Sequence, residues 1–437
     1  MEIKLKKYDS YKDSGVEWLG EIPEHWEILP GLCFLYENKD RNKGMIRNTI
    51  LSLSYGNIRV KGENELTGLV PESFETYQFV NKGDLIFRPT DLQNDTVSLR
   101  SSISEYEGII TNAYLNLRFN SKADSSFFHY FFRAIDNNKI IYGLGSGLRQ
   151  NISYLDFRRF QFPFPPLHEQ TTIAKFLDDK TTKIDQAIAQ KEKQIELLKE
   201  RRQILMHKAV TKGINPDVKF KDSGVEWIGE IPEGWEVKAL KYILNGRLKY
   251  GANESGIEYN ASLPRYVRIT DFGNDGRLAE DTKLSLTWEK GGQYLLKDGD
   301  ILFARSGATV GKTYQFKKSM SVEENYCFAG YLIKAEANET KILSDFLYLY
   351  TNSNLFNKWK EGIFNKATIE NIGADKYSQL PVIIPSLNEQ KLILCNFDKD
   401  NAKISNAISL KEQEIEKLKE YKSSLINSMV TGKVRVC

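Results

Sequence analysis

With 437 residues, 41% of them hydrophobic and 12% aromatic, the chain is longer than the roughly 250 residues that one hydrophobic core usually supports, so at least two globular domains are expected. Its 61 Lys and Arg against 58 Asp and Glu leave a net charge of +3, which neither requires nor excludes nucleic acid as a partner. Four widely separated cysteines argue against a disulfide framework or a zinc site, and the lack of a leader sequence or of roughly 20 successive apolar residues predicts a reduced, cytoplasmic protein.

Near the amino terminus lies a segment that occurs twice in the chain. The sequence KDSGVEWLGEIPEHWE at 12–27 recurs as KDSGVEWIGEIPEGWE at 221–236, and the copies differ only at Leu19/Ile228 and His25/Gly234. Agreement of this extent indicates a tandem duplication. Its tryptophans have two open interpretations, as core residues or as part of a docking surface for a partner protein: Trp18, Trp26, Trp227 and Trp235.

A second, looser repeat relates residues 151–211 to residues 371–431. Both copies begin with Asn-Ile, contain the pattern Pro-x-Leu-x-Glu-Gln and end with Val-Thr. The intervening inserts, about 28–150 and 237–370, share little beyond one Gly-Asp-Leu/Ile-Ile/Leu-Phe run. The repeated segments are therefore similar in the two halves of the chain, whereas the inserts between them differ.

Each insert is predicted to be a mixed, mostly β domain. Short runs of β-branched and aromatic residues alternate with Gly, Asn and Asp turns, and the strand predictions fall at 84–88, 113–120, 266–271 and 331–334. The inserts are also expected to contain helices, at about Ser125–Asp136 and Leu343–Lys360.

Two long helices are predicted, at about 169–210 and about 389–430. Neither stretch contains Gly or Pro, and apolar residues recur at spacings of three and four. A heptad can be laid along both, with these seam positions: Leu177, Ile184, Lys191, Leu198, Leu205, Ile188, Ile195, Ala209, and Phe397, Ile404, Lys411, Leu418, Leu425, Ile408, Ile415, Met429. The pattern favours an antiparallel pair of helices in a coiled coil over two solvated helix faces.

A lysine interrupts the seam at the same place in each helix. Lys191 and Lys411 stand where leucine or isoleucine would bury more apolar surface. Since an ammonium group is costly to bury alone, each is expected to extend outward or to pair with a nearby carboxylate, the candidates being Glu192, Glu412 and Glu414.

The linker after the first long helix resembles the two chain ends joined together. VTKGINPDVKFKDSGVEW from Val210 matches VTGKVRV from Val430 followed by the amino-terminal KDSGVEW. This predicts neighbouring termini and internal pseudo-two-fold symmetry. The expected fold is α+β, with two mixed, mostly β domains separated by a long antiparallel two-helix coiled coil.

One near-motif favours an enzyme at first sight. Gly307 to Thr313, GATVGKT, resembles a phosphate-binding P-loop, but only three residues separate its glycines where the loop needs four, and the residues that follow have an extended pattern. A Gly-rich turn between strands is the favoured interpretation over an NTPase. No catalytic residue and no metal site is predicted, and methyltransferase motifs are missing.

Nucleic-acid binding is better supported, because basic residues cluster with tyrosine and asparagine, types that contact phosphates and base edges. In the first insert the candidates are Arg41, Lys43, Arg47, Tyr55, Asn57, Arg59, Lys61, Arg88 and Arg149. In the second they are Arg247, Lys249, Tyr250, Asn253, Arg265, Tyr266, Arg268, Arg305, Thr309, Lys312 and Lys366. Two different DNA-binding domains held apart by a rigid coiled coil suit a DNA target that consists of two separated half-sites.

The tandem inserts, the repeated DSGVEW(L/I)GEIPE(H/G)WE, the run GDILFARSGATVGKT at 299–313 and the P(P/S)L(H/N)EQ lead-in to each long helix resemble the specificity subunit of type I restriction-modification systems. The resemblance covers nearly the whole chain. It implies two target recognition domains that bind double-stranded DNA, and helical regions that dock two DNA adenine methyltransferase subunits. An endonuclease and translocase would join for cleavage, and the methyl donor, ATP and magnesium would be held by the partner subunits.

The resemblance also implies domain boundaries: 1–27 conserved segment, 28–155 first recognition domain, 156–236 first conserved region, 237–375 second recognition domain and 376–437 second conserved region. The chain departs from the family pattern at Arg88-Pro89-Thr90, where the second insert has the Gly-rich run from Ala304 to Gly307. A free-standing DNA-binding or structural protein without methyltransferase partners is the alternative.

Overall fold

The structure, a computed structural model, consists of two compact units. It describes residues 6–62, 65, 73–90, 92, 99–144, 151–273, 276–307, 309–364 and 371–436. Unit 1 comprises Met1–Glu192 and Glu412–Cys437, and unit 2 comprises Lys193–Lys411. Among the described residues, no helix combines the length and the apolar character needed to cross a membrane.

Unit 1 places short strands before a helical segment. Its strands are β1 Tyr11–Asp13, β2 Glu21–Pro23, β3 Glu27–Pro30, β4 Leu35–Glu37, β5 Leu51–Ser54, β6 Asn57–Val60, β7 Gln78–Val80, β8 Leu85–Phe87, β9 Ser101–Ile103, β10 Gly108–Ile110, β11 Leu115–Phe119 and β12 Gln161–Phe164. Its helices are α1 Ser125–Asn137, α2 Tyr154–Arg159 and the first part of α3 Leu167–Thr211.

The centre of unit 1 is an antiparallel sheet of order β4-β11-β8-β9 covered by α1. The Asp124 side chain caps α1 by accepting a hydrogen bond from the backbone N–H of Phe127 at 3.0 Å. One face of α1 is aromatic, and Phe127, Phe128, Phe131 and Phe132 are fully buried. Burial of each such side chain contributes about 1.5–3 kcal/mol, so this face anchors the helix in the core.

Unit 2 repeats this plan, again with twelve strands among the described residues. Its strands are β13 Phe220–Asp222, β14 Glu230–Pro232, β15 Glu236–Ala239, β16 Lys249–Tyr250, β17 Ile257–Glu258, β18 Arg265–Val267, β19 Leu284–Ser285, β20 Ile301–Ala304, β21 Thr313–Gln315, β22 Tyr326–Phe328, β23 Leu332–Ala335 and β24 Pro381–Ile384. Its helices are the second part of α3, α4 Trp288–Gly291, α5 Ser344–Thr351, α6 Asn354–Phe364, α7 Ala374–Ser378 and the first part of α8 Leu387–Val430, whose second part belongs to unit 1.

Two four-stranded sheets organise unit 2. The sheet β16-β23-β20-β21 is antiparallel throughout. The sheet β17-β19-β18-β22 contains one parallel pair, β18 with β22. The main core combines the first of these sheets with α5, α6 and the long helices, and Phe303, Phe346 and Ile393 lie inside it.

Within each unit, α3 and α8 pack against one another through the predicted seam. In unit 1, Lys191 Nζ lies 2.6 Å from Glu414 and Lys422 Nζ lies 2.6 Å from Asp185, a pairing order that makes the helices antiparallel there. Lys191 was expected either to extend outward or to pair with a carboxylate, and it pairs with Glu414. In unit 2, Arg202 of α3 donates to Ser405 of α8 at 2.9 Å.

The repeated tryptophan and Glu-Gln motifs have a shared structural role. The buried Trp26 indole donates to Glu169 at 3.2 Å in unit 1, and the buried Trp235 indole donates to Glu389 at 3.1 Å in unit 2. The following residues, Gln170 and Gln390, are fully buried. Trp26 and Trp235 are therefore core residues that hold the start of each long helix.

Those glutamines bridge separate backbone segments in the same manner. Gln170 accepts from the N–H of Asp124 at 2.8 Å and donates to the Pro165 carbonyl at 2.8 Å. Gln390 accepts from Leu343 at 2.8 Å and donates to Pro385 at 2.9 Å. Each glutamine thus satisfies backbone groups that burial would otherwise leave unpaired.

Two secondary-structure predictions were wrong in part. The single helix expected over 343–360 is interrupted between α5 and α6, where the Asn352 and Ser353 side chains donate to backbone carbonyls at 2.8 and 2.7 Å and so compete with the helical pattern. The strand expected over 266–271 ends at Val267, because Asp271 accepts from the Arg268 N–H at 2.7 Å and closes a 3₁₀ turn.

The two ends of the described chain meet in unit 1, as the linker pattern predicted. The Arg435 N–H donates to the Lys6 carbonyl at 2.8 Å, and Lys433 Nζ donates to the Leu19 carbonyl at 2.8 Å. In unit 2 the corresponding segments are joined by the chain itself, through the linker between α3 and β13.

Candidate nucleic-acid interface

In unit 1, the predicted basic residues differ in how freely they face solvent. Arg41 and Lys43 are exposed between β4 and β5. Arg47 is half-buried, donates to the Val80 carbonyl at 2.9 Å and lies 3.6 Å from Glu107. The remaining members, Arg59 and Lys61, lie at the end of β6, where Arg59 is 3.3 Å from Glu65. Arg41 and Lys43 therefore keep their charge available for a ligand, whereas Arg47 is also a structural residue.

A tight hairpin presents Tyr55 to solvent next to these residues. β5 and β6 are joined by Tyr55 and Gly56, with φ of 49° and 73°, the positive values of a type I′ turn. The Tyr55 side chain is 86% exposed, and Asn57 is the first residue of β6 after the turn. Positive φ at a bulky residue costs free energy, so the surrounding contacts must hold the turn in place.

Arg133 of α1 supplies such a contact. Its Nη2 donates to the Gly56 carbonyl at 2.9 Å, and burial lowers the pKa of Arg133. A Cβ added at Gly56 would lie 2.6 Å from the Cβ of Leu99, which leaves room only for glycine. Tyr55 therefore projects from a rigid tip.

Arg88 is half-buried directly after β8, and Arg149 lies outside the described residues. The Arg88 N–H donates to the carbonyl of Arg100 at 2.8 Å. Arg100, which the sequence did not single out, is fully buried and donates to the Thr90 carbonyl at 2.6 Å. Arg100 thus shapes the loop in which unit 1 departs from the Gly-rich pattern.

In unit 2, most predicted residues around β16 are exposed. Arg247, Lys249 and Asn253 face solvent, and Tyr250 is 42% exposed. The Arg305 guanidinium lies over the Tyr250 ring, 5.2 Å from its centroid. Tyr331 is exposed immediately before β23. The sequence did not mark it as a site residue, because its local pattern is the same as that of a core tyrosine.

Three predicted residues of unit 2 instead have structural contacts. Arg265 is 1% exposed and its Nη1 lies 2.7 Å from Glu280 and 3.2 Å from Glu323. Tyr266 is buried and donates to backbone carbonyls, including that of Ala252 at 2.9 Å. Arg268 lies 2.8 Å from Asp271. Their side chains stabilise β18 and the turn after it.

The GATVGKT run is a hairpin loop, which agrees with the favoured Gly-rich turn. β20 and β21 on either side of it pair antiparallel, whereas a P-loop requires a helix after the loop. Thr309 is exposed, and Lys312 donates to the Phe272 carbonyl at 2.7 Å. Lys366 falls outside the residues that the structure describes. In the described part of the chain, no group of three or more His, Cys, Asp and Glu side chains could hold a metal ion.

Comparison with known proteins gives the same family for both halves of the chain. The family model described as "Type I restriction modification DNA specificity domain" matches residues 34–197 and again 232–420. The type I restriction enzyme MjaVIII specificity subunit of Methanocaldococcus jannaschii is 31% identical over 294 residues, which cover 64% of this chain and 63% of that protein. The EcoKI specificity subunit of Escherichia coli K12 is 22% identical over 86% of this chain and 82% of its own length.

Solved structures share the fold at low sequence identity. A chain from a type I restriction-modification system, studied for its complex assembly and conformational transition, aligns with a TM-score of 0.68 and 15% identity over 94% of this chain and 98% of its own. The HsdS subunit from Thermoanaerobacter tengcongensis aligns with a TM-score of 0.50 and 14% identity over 94% of this chain and 98% of its own. These matches establish the architecture of the chain.

Proposed function

The chain belongs to the family of type I restriction-modification DNA specificity proteins, and from this premise we propose that it is the non-catalytic DNA-recognition subunit of such a complex, with each unit reading one half of a bipartite target. One observation carries the proposal. In both units a buried tryptophan contacts the Glu-Gln pair at the start of the long helix in the same way, yet the exposed polar residues of the two units differ. Unit 1 exposes Arg41, Lys43 and Tyr55, and unit 2 exposes Arg247, Lys249 and Tyr250.

The long helices are the proposed docking surface for two DNA methyltransferase subunits. In unit 2, four large aliphatic side chains point to solvent from α3 and α8: Leu197, Ile204, Leu392 and Leu410. Exposed apolar side chains that recur along a helix face favour protein contact over plain solvation. Restriction endonuclease and translocase subunits would join this assembly.

Methylation and ATP-dependent cleavage would take place in those partner subunits, which would hold the methyl donor, ATP and magnesium. The present chain would contribute target selection, and the complex would act on DNA in the cytoplasm. In this proposal, the role of Arg265, Tyr266 and Arg268 is to stabilise the fold of unit 2, because their side chains contact other residues of that unit.

Methylation sequencing of cells with and without this gene tests the proposal. A bipartite adenine-methylated motif should be present only when the gene and its methyltransferase partner are both expressed. Exchanging residues 28–150 for another recognition domain should alter one half of the motif and leave the other half unchanged. A change in both halves would contradict the assignment of one reader to each unit.

The alternative is a free-standing DNA-binding or structural protein, for which the same fold could serve. Co-purification of the full chain with the methyltransferase subunit separates the two. DNA binding by a chain that never captures a methyltransferase would favour the alternative.

A further inference from the structure

Three adjacent strands of unit 2 end at the same edge of one sheet, and polar and aromatic residues gather there. β16 ends with Tyr250, β20 is followed by Arg305, and β23 is preceded by Tyr331. Because β16 pairs with β23 and β23 pairs with β20, both antiparallel, these three positions lie side by side. Residue 371 joins this edge through a bridge between Ser306 and Asn371.

The backbone at this edge is held by hydrogen bonds on both sides of Arg305. Its N–H donates to the Tyr331 carbonyl at 2.9 Å, and its own carbonyl accepts from the Ile372 N–H at 2.9 Å. The Tyr250 hydroxyl accepts from the N–H of Ala374 at 2.9 Å, so the ring under the guanidinium is also held. The backbone of Arg305 and the ring beneath its guanidinium are therefore both held in place by hydrogen bonds.

Two buried polar atoms on neighbouring segments of this edge lack a partner within the described protein. The Nε of Arg305 has no hydrogen-bond acceptor, and the Oδ1 of Asn371 has no donor. Two other arginines of the candidate interface in unit 2, Arg265 and Arg268, are instead paired with carboxylates. Buried polar groups are almost always paired, so Arg305 and Asn371 retain hydrogen-bonding capacity that their half-buried side chains can offer to a ligand at this edge.

The chemistry of the two side chains indicates which ligand atoms fit. A planar guanidinium with free N–H groups matches the O6 and N7 acceptors of guanine in the major groove, and an asparagine amide matches the N6 and N7 edge of adenine. The Tyr250 ring beneath the planar guanidinium restricts its orientation, and this favours paired hydrogen bonds to a base over contact with a phosphate.

We propose that Arg305, stacked on Tyr250, reads a guanine in the half-site recognised by unit 2, and that Asn371 reads an adenine beside it. This inference rests on the proposed function, since it names the residues and bases through which unit 2 selects DNA. Unit 1 cannot use the same device, because Pro89 occupies the equivalent position, where its carbonyl accepts from the Ile152 N–H at 2.9 Å.

The test expresses the full chain with its methyltransferase subunit and determines base frequencies in the methylated motif by sequencing. Arg305→Lys retains the positive charge but removes the planar guanidinium with its paired N–H donors. The preference for guanine should therefore fall about 5- to 150-fold at one position of one half-site. Asn371→Ala should relax a neighbouring adenine position. Tyr250→Leu should relax the guanine position as well, whereas Tyr250→Phe keeps the ring and should retain the preference.

Matched controls separate this role from folding and from general affinity. Arg159→Lys makes the same chemical change at an exposed position of α2 and should leave every base frequency unchanged. Thermal melting and co-purification of methyltransferase should match the wild type for Arg305→Lys.

Several outcomes would overturn the inference. An Arg305→Lys complex with unchanged base frequencies would do so, and so would a half-site for unit 2 that contains no guanine. Uniform loss of methylation from a folded and assembled complex would place Arg305 in general DNA affinity and would also overturn it. Absence of bipartite methylation with the wild-type chain would instead refute the proposed function itself.

Discussion

Replacing Glu323 by Gln is expected to destabilise unit 2 by about 3–5 kcal/mol, because the substitution removes one carboxylate from a buried guanidinium. Arg265 is 1% exposed and Glu323 is 5% exposed, and Arg265 Nη1 lies 3.2 Å from the Glu323 carboxylate. Lys283 Nζ lies 3.1 Å from the same carboxylate. The other carboxylate near Arg265, Glu280, is 54% exposed, so solvent screens its charge and it cannot fully replace Glu323.

Acid should weaken unit 2 through the same carboxylate. Burial raises the pKa of Glu323, but hydrogen bonds from Tyr326 and Lys283 together with the charge of Arg265 outweigh burial and lower the pKa to about 2, from an ordinary 4.5. A pKa lowered by folding adds stability above the unfolded value, and this stability is lost as the pH falls toward the folded value. Stability contributed by Glu323 should therefore decline between about pH 4.5 and pH 2.

Differential scanning calorimetry of the full chain measures the effect. For a unit of about 200 residues, 1 kcal/mol shifts the melting temperature by about 2–4 °C, so Glu323→Gln should lower the transition of unit 2 by roughly 6–20 °C at neutral pH. Glu280→Gln is the matched control, and its exposed carboxylate should contribute about 1 kcal/mol or less. Equal effects of the two substitutions, or a wild-type melting curve for Glu323→Gln, would refute the reasoning.

Lys191→Leu should raise the melting temperature of unit 1 by a few degrees, since leucine buries more apolar surface at this seam position than a half-exposed ion pair stabilises. Gln390→Ala should destabilise unit 2 by about 1–3 kcal/mol in urea unfolding, because the backbone groups of Leu343 and Pro385 lose their partner. Leu197→Glu combined with Leu410→Glu should reduce the methyltransferase captured per chain, measured by native mass spectrometry, while the melting temperature of the isolated chain stays unchanged.

Each of these substitutions has a matched control. Lys193→Leu and Lys391→Ala alter exposed positions and should change stability by less than about 0.5 kcal/mol. Leu155→Glu makes the same change at an exposed leucine of α2, outside the long helices, and should leave methyltransferase capture unchanged. Unchanged methyltransferase capture by the double leucine variant would argue against docking at this face, and a loss of stability in Lys191→Leu would show that the Glu414 pair outweighs apolar burial.

The sequence by itself determined the features that depend on local pattern. The duplication, the two long helices and the lysine in the seam all follow from residues whose spacing along the chain carries the information, because a helix or a heptad repeats every few residues. The two possible outcomes for Lys191, outward extension or pairing with a carboxylate, could be stated in advance for the same reason. The family resemblance rested on the tandem inserts and on short sequence motifs, such as the repeated DSGVEW segment and the lead-in to each long helix, and the family match at 34–197 and 232–420 agrees with it.

Only the tertiary structure separated the candidate DNA-binding residues from one another. Arg265 and Arg247 are alike in sequence terms, yet Arg265 is buried against Glu323, which is 58 positions away along the chain. Asn371, which no basic cluster marks, reaches the edge beside Arg305 through a bridge to Ser306. Burial and ion pairing are decided by contacts between distant segments, and a side chain's availability to DNA depends on whether such a contact has already taken its charge.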